Sequence, residues 1–284
     1  MRRPPSLDDV IEGVPSRTAF GAALHRAAHQ VVDGAHVFPD PVALPITGWS
    51  AADVAAHAHR HPEARPLRTF IAMRHAFARD VVAAAVHDGV RQVIVLGAGL
   101  DTTAYQREQP APELRVLEID HPATQAWKRE RLADAGIAAT AAVSYAGVDF
   151  ETQSWPDVAR STGLAAGTPC VVVWLGVVPY LTLDAVRATV ESVAGLAPGS
   201  SLVLDYGEPR GDGGPARLDA RVARAGEPFR TRLTRDRLHE LVLGSGLEVH
   251  DDLGVAALVR RYLGADVADR PGGHLMHAVV PAPG

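Results

Sequence analysis

Residues 93–105 read VIVLGAGLDTTAY, and this stretch decides the fold class. An apolar, mainly β-branched run predicts a buried strand that ends at Gly97, Ala98 and Gly99. Glycines at this point allow the backbone to turn sharply and to approach a ligand closely. The residues that follow have helical character, and the first N–H groups of a helix lack partners within it. The stretch is therefore typical of a strand, a ligand-binding turn and a helix.

A second short strand, LRVLEI at 114–119, leads to Asp120, twenty-one positions beyond Gly99. A carboxylate at this strand end can accept both hydroxyl hydrogens of a ribose. The glycine turn and the acidic strand end together predict a nucleoside site on a Rossmann-like sheet. The alternative is a purely structural turn in which Asp101 caps the following helix.

The kind of nucleoside is indicated by two residues of the turn. A dinucleotide-binding pattern has a third glycine three positions after Gly99, where this chain has Thr102. Asp101 stands at the expected helix start, where a pyrophosphate would be repelled. S-adenosyl-L-methionine carries no phosphate, and its amino and sulfonium groups are cationic. An aspartate therefore suits S-adenosylmethionine better than NAD.

Strands and helices alternate through the rest of the chain. Further strands are predicted in three apolar runs: AAVSYAGV (141–148), PCVVVWL (169–175) and SLVLDY (201–206). Helical stretches between them predict βαβ units and a mostly parallel sheet. Two last strands, GLEVHDD (246–252) and HLMHAVV (274–280), bring the sheet to seven, and we expect the final one to be an antiparallel edge strand.

The first 88 residues contain no predicted strand. Helical periodicity starts at Ser16, a suitable N-cap, and helices are predicted at 50–60 and 66–87. We therefore divide the chain into an N-terminal arm and helical cap, 1–88, and a Rossmann-like core, 89–284. A glycine- and proline-rich segment predicts a lid or insertion near 208–235.

Composition excludes several classes of protein. The formal net charge of −5 argues against a nucleic-acid partner. No run approaches the roughly 18 apolar residues of a membrane helix, so no membrane partner is expected. The first residues lack the apolar run of a signal peptide, and Cys170 is the single cysteine, so we expect a cytoplasmic location. No pattern indicates the oligomeric state.

Eight segments carry a resemblance to a known family. They are SRTAFGAALHRAAHQ, VFPDPVAL, FIAMRHAFARD, VLGAGLDTTAY, LEIDHPATQAWKRERL, GVDFE, WLGVVPYLT and GSSLVLDY, in this order. Together they resemble the leucine carboxyl methyltransferase-like family of class I methyltransferases, whose bacterial members are mostly assigned as O-methyltransferases of small molecules. The resemblance implies a class I methyltransferase fold, S-adenosyl-L-methionine as cofactor and S-adenosyl-L-homocysteine as product.

The resemblance also implies roles for residues around the amino-acid part of the cofactor. Gly97, Ala98 and Gly99 would line that part, with Asp101 close by. Arg74 matches the arginine that pairs with the cofactor carboxylate, a role that suits the two parallel donors of a guanidinium. An ordinary surface arginine on a helix is the alternative for Arg74.

On the nucleoside side, the resemblance places Asp120 at the ribose. His121 follows Asp120 in the chain, so we expect it close to the cofactor as well. Asp149 and Phe150 match the pair at the adenine, where the carboxylate accepts from the exocyclic amine. A strand-end cap is the alternative for Asp149. One position departs from the pattern, because Leu175 stands where many members have a glutamate. This puts that carboxylate contact with the cofactor in doubt.

The sequence assigns no catalytic base. A carboxylate acceptor needs none, whereas a hydroxyl acceptor often uses a histidine. Tyr180, Arg261 and Tyr262 are weak candidates for the acceptor side, and for each an ordinary structural position is at least as good an interpretation. The histidines of AHAHRHP (56–62) have no cysteine or carboxylate to complete a metal site, so no metal is expected.

Three functions remain open. The first is O-methylation of a carboxylate or hydroxyl of a small molecule, such as a secondary metabolite. The second is methylation of a protein C-terminal carboxylate, which the name of the family suggests. The third is a non-catalytic adenosine-binding module or an NAD-dependent oxidoreductase. Thr102 and the lack of a Tyr-x-x-x-Lys motif count against the oxidoreductase.

Overall fold

The structure is a computed structural model, and it describes residues 16–106, 113–140, 142–150, 152–162, 164, 167–208 and 229–282. Residues 1–15 of the predicted arm and cap, and most of the predicted lid near 208–235, lie outside these residues.

Nine α-helices and seven strands are found in the described residues. The helices are α1 Arg17–Val32, α2 Ala43–Thr47, α3 Ala51–Arg60, α4 Arg65–His87, α5 Pro122–Asp134, α6 Trp155–Ser161, α7 Leu183–Ala194, α8 Arg235–Gly244 and α9 Val255–Leu263. The strands are β1 Gln92–Leu96, β2 Arg115–Asp120, β3 Ala142–Gly147, β4 Val171–Trp174, β5 Ser201–Gly207, β6 Glu248–Gly254 and β7 Gly273–Val279.

All seven strands form one sheet in the order β3-β2-β1-β4-β5-β7-β6. The first five strands pair in parallel, and β7 is antiparallel to both β5 and β6. The mostly parallel seven-stranded α/β sheet is thus confirmed. Strand order reverses between β1 and β4, and ligands of such sheets bind at the carboxyl ends of the strands beside this switch point.

The prediction for the final strand was wrong in one respect. β7 is antiparallel, but it lies between β5 and β6, so β6 forms the edge of the sheet. The reason is burial: Leu275, Met276 and Ala278 of β7 are fully buried, whereas β6 carries several polar, partly exposed residues such as Asp251. Polar residues on an edge strand also discourage pairing with another chain.

Helices cover both faces of the sheet. On one face α4 packs over β1 and β4 in a cluster that includes Ala76, Phe77, Val81, Val82, Val93, Val95 and Val173. The other face packs against α7 and α8 through Ile94, Leu96, Val172, Trp174, Val186, Val190 and Leu238. A smaller cluster joins α1, α2 and α3. The predicted boundary near residue 88 therefore falls at the end of a helix that packs on the sheet.

In the part of the chain that the structure describes, no helix has the length and apolarity needed to cross a membrane.

Candidate active site

The glycine turn follows β1 at the switch point of the sheet. Gly97 and Gly99 have φ of +63° and +46°, values that favour glycine strongly. A Cβ on Gly97 would collide with Cγ2 of Val177, and one on Gly99 would lie 2.9 Å from Cβ of Ala19. The turn is thus closely approached by the segment after β4 on one side and by α1 on the other. Ala98 between them is buried.

Asp101 makes a local turn. Its Oδ1 accepts the N–H of Thr103 at 2.7 Å, and a short 3₁₀ turn, Thr103–Tyr105, follows. The predicted helical character of this segment is therefore reduced to one 3₁₀ turn in the described residues. Burial would raise the pKa of Asp101, but the charges of Lys128, His75 and Arg26 lower it on balance. Asp101 is consequently a carboxylate with a structural partner, and its contact with a cofactor stays a prediction.

Thr102 is hydrogen-bonded to the helical cap, a contact that the sequence did not indicate. Its hydroxyl donates to Oδ2 of Asp40 at 2.8 Å, and Nε of Arg26 donates to the same oxygen at 2.9 Å. Nη2 of Arg26 also donates to the carbonyl of Leu100 at 2.6 Å. Arg26 and Asp40 are both buried. This network joins α1 and the loop before α2 to the glycine turn, and it gives Thr102 a role that glycine could not fill.

Asp120 closes β2 beside the turn. Its Oδ2 accepts the N–H of Gly99 at 2.5 Å, and Oδ1 accepts the N–H of His121 at 2.6 Å. Burial raises the pKa of Asp120, although both hydrogen bonds act in the opposite direction. Each carboxylate oxygen has two acceptor positions. One remains on each oxygen, which is the capacity needed for two ribose hydroxyls. The ring of His121 accepts from the N–H of Ala123 at 3.3 Å and so caps α5.

The remaining predicted cofactor residues stand at neighbouring strand ends. Asp149 follows β3, is exposed, and accepts the hydroxyl of Thr152 at 3.1 Å. Phe150 is half-buried against the α7 and α8 side of the core. Leu175 follows β4 and packs against the α4 side. The structure therefore brings these side chains to the same edge as the glycine turn, and their cofactor contacts stay predictions.

Arg74 meets a carboxylate that the sequence analysis missed. It lies on α4, and its Nη1 donates to Oδ2 of Asp205 at 3.1 Å. Oδ1 of Asp205 accepts the N–H of Gly176, the second residue after β4. The two side chains are only 11% and 8% exposed. A surface role for Arg74 is therefore wrong, since the guanidinium is buried at the carboxyl edge of the sheet.

A second buried pair of charges lies behind Asp120. Nζ of Lys128 on α5 lies 2.7 Å from Oε2 of Glu118 on β2, and both side chains are almost fully buried. The ammonium group also lies 5.4 Å from the ring centre of Tyr105. Burial raises the pKa of Glu118 to about 7, even though Lys128 acts to lower it. Lys128 is the chain's single lysine, and this rarity is the one feature of the sequence that could have drawn attention to the pair.

The weak acceptor-side candidates have structural contacts. Tyr262 on α9 donates to Oδ2 of Asp80 at 2.8 Å, and Nη2 of Arg261 lies 3.5 Å from the same oxygen. Asp80 lies nearly two helical turns beyond Arg74 on α4, so these contacts join α9 to α4 and give no support to an acceptor role. Tyr180 lies in the 3₁₀ turn after β4, with its ring 5.3 Å from that of Phe229.

The histidines of the cap show no metal site. The rings of His57 and His61 have centroids 4.6 Å apart on successive turns. Within the described ranges, no group of three or more histidine, cysteine, aspartate or glutamate side chains is arranged to hold a metal ion.

Comparisons with known proteins agree with this geometry. The model of a family described as leucine carboxyl methyltransferase matches residues 19–194. A Bacillus subtilis (strain 168) protein, provisionally assigned as an S-adenosyl-L-methionine-dependent methyltransferase, is 30% identical over 172 residues, which cover 58% of this chain and 56% of that protein. The chain spans about half the length of the curated relatives it matches.

Two solved structures share the fold. A DUF574 family protein from Streptomyces avermitilis aligns with a TM-score of 0.57 and 19% identity over 90% of this chain and 97% of that one. A Thermobifida fusca protein, provisionally assigned as a methyltransferase, aligns with a TM-score of 0.55 and 19% identity over 98% of each chain. The resemblance read from the sequence motifs is thus confirmed by the family match, which covers more than half of the chain, and the chain belongs to the leucine carboxyl methyltransferase family.

Proposed function

We propose that this chain is an S-adenosyl-L-methionine-dependent methyltransferase that methylates an oxygen atom, carboxylate or hydroxyl, of a small molecule. The observation that carries the proposal is the position of Asp120, bonded to Gly99 at the switch point of the sheet, in a member of a methyltransferase family.

The residues around the turn fit S-adenosylmethionine better than a phosphate-bearing cofactor. Asp101, Asp120 and Asp205 are carboxylates at or near the carboxyl edge, and the only lysine is buried behind β2. Such an arrangement attracts a ligand with sulfonium and ammonium groups and repels a pyrophosphate. Arg74 provides a guanidinium that would suit the ligand carboxylate.

The chemistry required of the chain is mainly positioning. Bound S-adenosylmethionine would supply an electrophilic methyl group, and the acceptor oxygen must lie in line with the carbon–sulfur bond. An ionised carboxylate acceptor is already a nucleophile and needs no base from the protein. A hydroxyl acceptor would need a proton acceptor, and we assign none.

A protein C-terminal carboxylate is the second candidate acceptor, and the description of the family favours it. Leu175, in place of the glutamate found in many members, counts against a close copy of that activity. A small-molecule partner, no nucleic-acid or membrane partner, and a cytoplasmic location stay predictions.

Calorimetry with S-adenosylhomocysteine and with NAD tests the cofactor. We expect micromolar binding of S-adenosylhomocysteine, and binding of NAD alone would contradict the proposal.

Incubation with methyl-labelled S-adenosylmethionine and cell extract, followed by separation of small molecules from protein, then tests the acceptor. Label in a small molecule other than S-adenosylmethionine supports the first candidate, whereas transfer of label only to protein supports the second. Release of the label as methanol by alkali identifies a carboxyl ester, whereas a methyl ether retains it.

A further inference from the structure

Arg74 and Asp205 form a buried pair of opposite charges held by three segments. The guanidinium comes from α4, the carboxylate from the end of β5, and the N–H that fixes the carboxylate from Gly176 after β4. Gly176 has φ of +72°, and a Cβ there would lie 2.9 Å from the guanidinium nitrogens of Arg74. The backbone after β4 therefore passes directly over the pair, beside the switch point.

The pair has hydrogen-bonding capacity that these contacts do not use. A carboxylate has about four acceptor positions, and Arg74 and Gly176 use two of those on Asp205. Nε of Arg74 is buried and has no hydrogen-bond partner within the described residues. A buried polar group without a partner is costly, so a site that leaves one normally has a ligand or water to satisfy it.

We propose that Asp205 binds the α-ammonium group of S-adenosylmethionine while Arg74 binds its carboxylate. This inference rests on the proposed function. The amino-acid end of the cofactor is a zwitterion, and the Arg74–Asp205 pair presents the complementary charges side by side. Taking an ammonium group out of water is expensive unless an anion receives it with good geometry. Asp205 is that anion, and its orientation is fixed by one side-chain donor, from Arg74, and one backbone donor, from Gly176.

The register of the sheet explains why this carboxylate stands on β5. Trp174 of β4 pairs with Leu204 of β5, so Leu175 and Asp205 follow at equivalent positions, about 4.8 Å apart across the sheet. Leu175 is apolar and packs against the core, so it cannot receive a cation. Asp205 provides a carboxylate one strand away, on the side of the sheet that faces α4.

Calorimetry on the full chain with three ligands tests this role. The ligands are S-adenosylhomocysteine, its analogue without the amino group, 4-(adenosylthio)butanoate, and its analogue without the carboxylate, 3-(adenosylthio)propylamine. Asp205→Asn keeps the shape of the side chain and removes its charge. We expect it to weaken binding of the two amine-bearing ligands about tenfold or more, and to leave the butanoate within about twofold. Asp134→Asn, on the exposed end of α5, is the matched control and should change none of the three affinities.

Each other outcome has a definite meaning. Equal weakening of S-adenosylhomocysteine and the butanoate would mean that Asp205 only holds Arg74 in place, and would overturn the proposal. No weakening of either amine-bearing ligand would overturn it as well. Should the variant not fold, the wild-type chain can still overturn the proposal, because the proposal requires it to bind the butanoate about tenfold more weakly than S-adenosylhomocysteine. Failure of the cofactor assignment in the proposed function looks different, since the wild-type chain would then bind none of the three ligands.

Discussion

Oδ2 of Asp120 accepts the backbone N–H of Gly99 at 2.5 Å, which fastens the end of β2 to the turn after β1. One carboxylate therefore has two tasks: it shapes the glycine turn, and it offers its remaining acceptor positions to the ribose. Loss of the carboxylate should damage both.

We expect Asp120→Ala to lower the affinity for S-adenosylhomocysteine about 100-fold or more, because hydrogen bonds to a charged group are worth about 1.5–3 kcal/mol each. Asp120→Asn keeps one acceptor oxygen, so its affinity for S-adenosylhomocysteine should lie between those of Asp120→Ala and the wild type. Calorimetry measures both variants, with Asp134→Ala as an exposed control. An unchanged affinity in Asp120→Ala would show that the ribose assignment is wrong.

Thr102→Gly creates the third glycine of a dinucleotide pattern, and it tests whether that residue alone determines the cofactor. We expect no gain of NAD binding, because Asp101 and Asp120 remain beside the turn. The free energy of unfolding should fall by about 2 kcal/mol, since Asp40 loses a charge-assisted hydrogen bond. Thr102→Ser keeps the hydroxyl and should stay close to the wild type. Micromolar NAD binding by the glycine variant would contradict this account.

Glu118 and Lys128 should show strong coupling in a double-mutant cycle. Removal of one partner leaves the other charge buried, which costs about 3–5 kcal/mol. We expect Lys128→Met and Glu118→Leu to be strongly destabilised when each is made alone. The double variant should be more stable than either single variant, because an apolar pair fits the same space without an unpaired charge. Urea unfolding measures all four proteins, and additive losses would show that the two side chains do not interact.

Asp252 on β6 is the buried centre of another cluster of polar side chains. It accepts hydrogen bonds from Tyr206 at 2.9 Å, Arg235 at 2.9 Å, His239 at 2.7 Å and His274 at 3.1 Å. Burial alone would raise the pKa of Asp252, but the bonds from His274, His239 and Tyr206 outweigh it and lower the pKa to about 2. Burial likewise would lower the pKa of His274, and Asp252 and Glu208 raise it on balance.

These two pKa shifts predict that the free energy of unfolding falls both at acid pH and as the pH rises above neutrality. The contribution of Asp252 is fully present above its ordinary pKa of 3.8 and is lost as the pH falls toward 2. That of His274 is present below its ordinary pKa of 6.5 and is lost as the pH rises through its raised folded value. Asp252→Asn should therefore be less stable than the wild type near pH 6 and show a flatter profile. Asp266→Asn, in an exposed pair with Arg260, should keep the wild-type profile. A wild-type slope in Asp252→Asn would refute this assignment.

The sequence was sufficient where the signal was local. The strand and turn from Val93 to Gly99, and the strand that ends at Asp120, could be predicted from their own residues. The apolar run, the glycines and the terminal carboxylate all lie within a few positions. The prediction failed where side-chain hydrogen bonds intervene, one with a distant residue and one within the turn. Asp40 binds Thr102 and Asp101 binds Thr103, and such side-chain bonds compete with a regular helix after the turn.

Asp205 shows the other limit of sequence reasoning. Nothing near it in the sequence distinguishes it from an ordinary strand-end aspartate. Its meaning comes from the register between β4 and β5 and from an arginine 131 positions earlier in the chain. The position of β7 was missed as well, although the fully buried Leu275, Met276 and Ala278 contrast with the partly exposed polar residues of β6.

The burial of Lys128 has a practical consequence. It is the only lysine of the chain and its side chain is 1% exposed, so the folded protein presents no side-chain primary amine to solvent. Amine-directed acylating reagents and crosslinkers should therefore leave Lys128 unmodified in the native protein. Labelling of Lys128, read by mass spectrometry, would then report the opening of the layer between α5 and β2, which makes this residue a built-in probe of local unfolding.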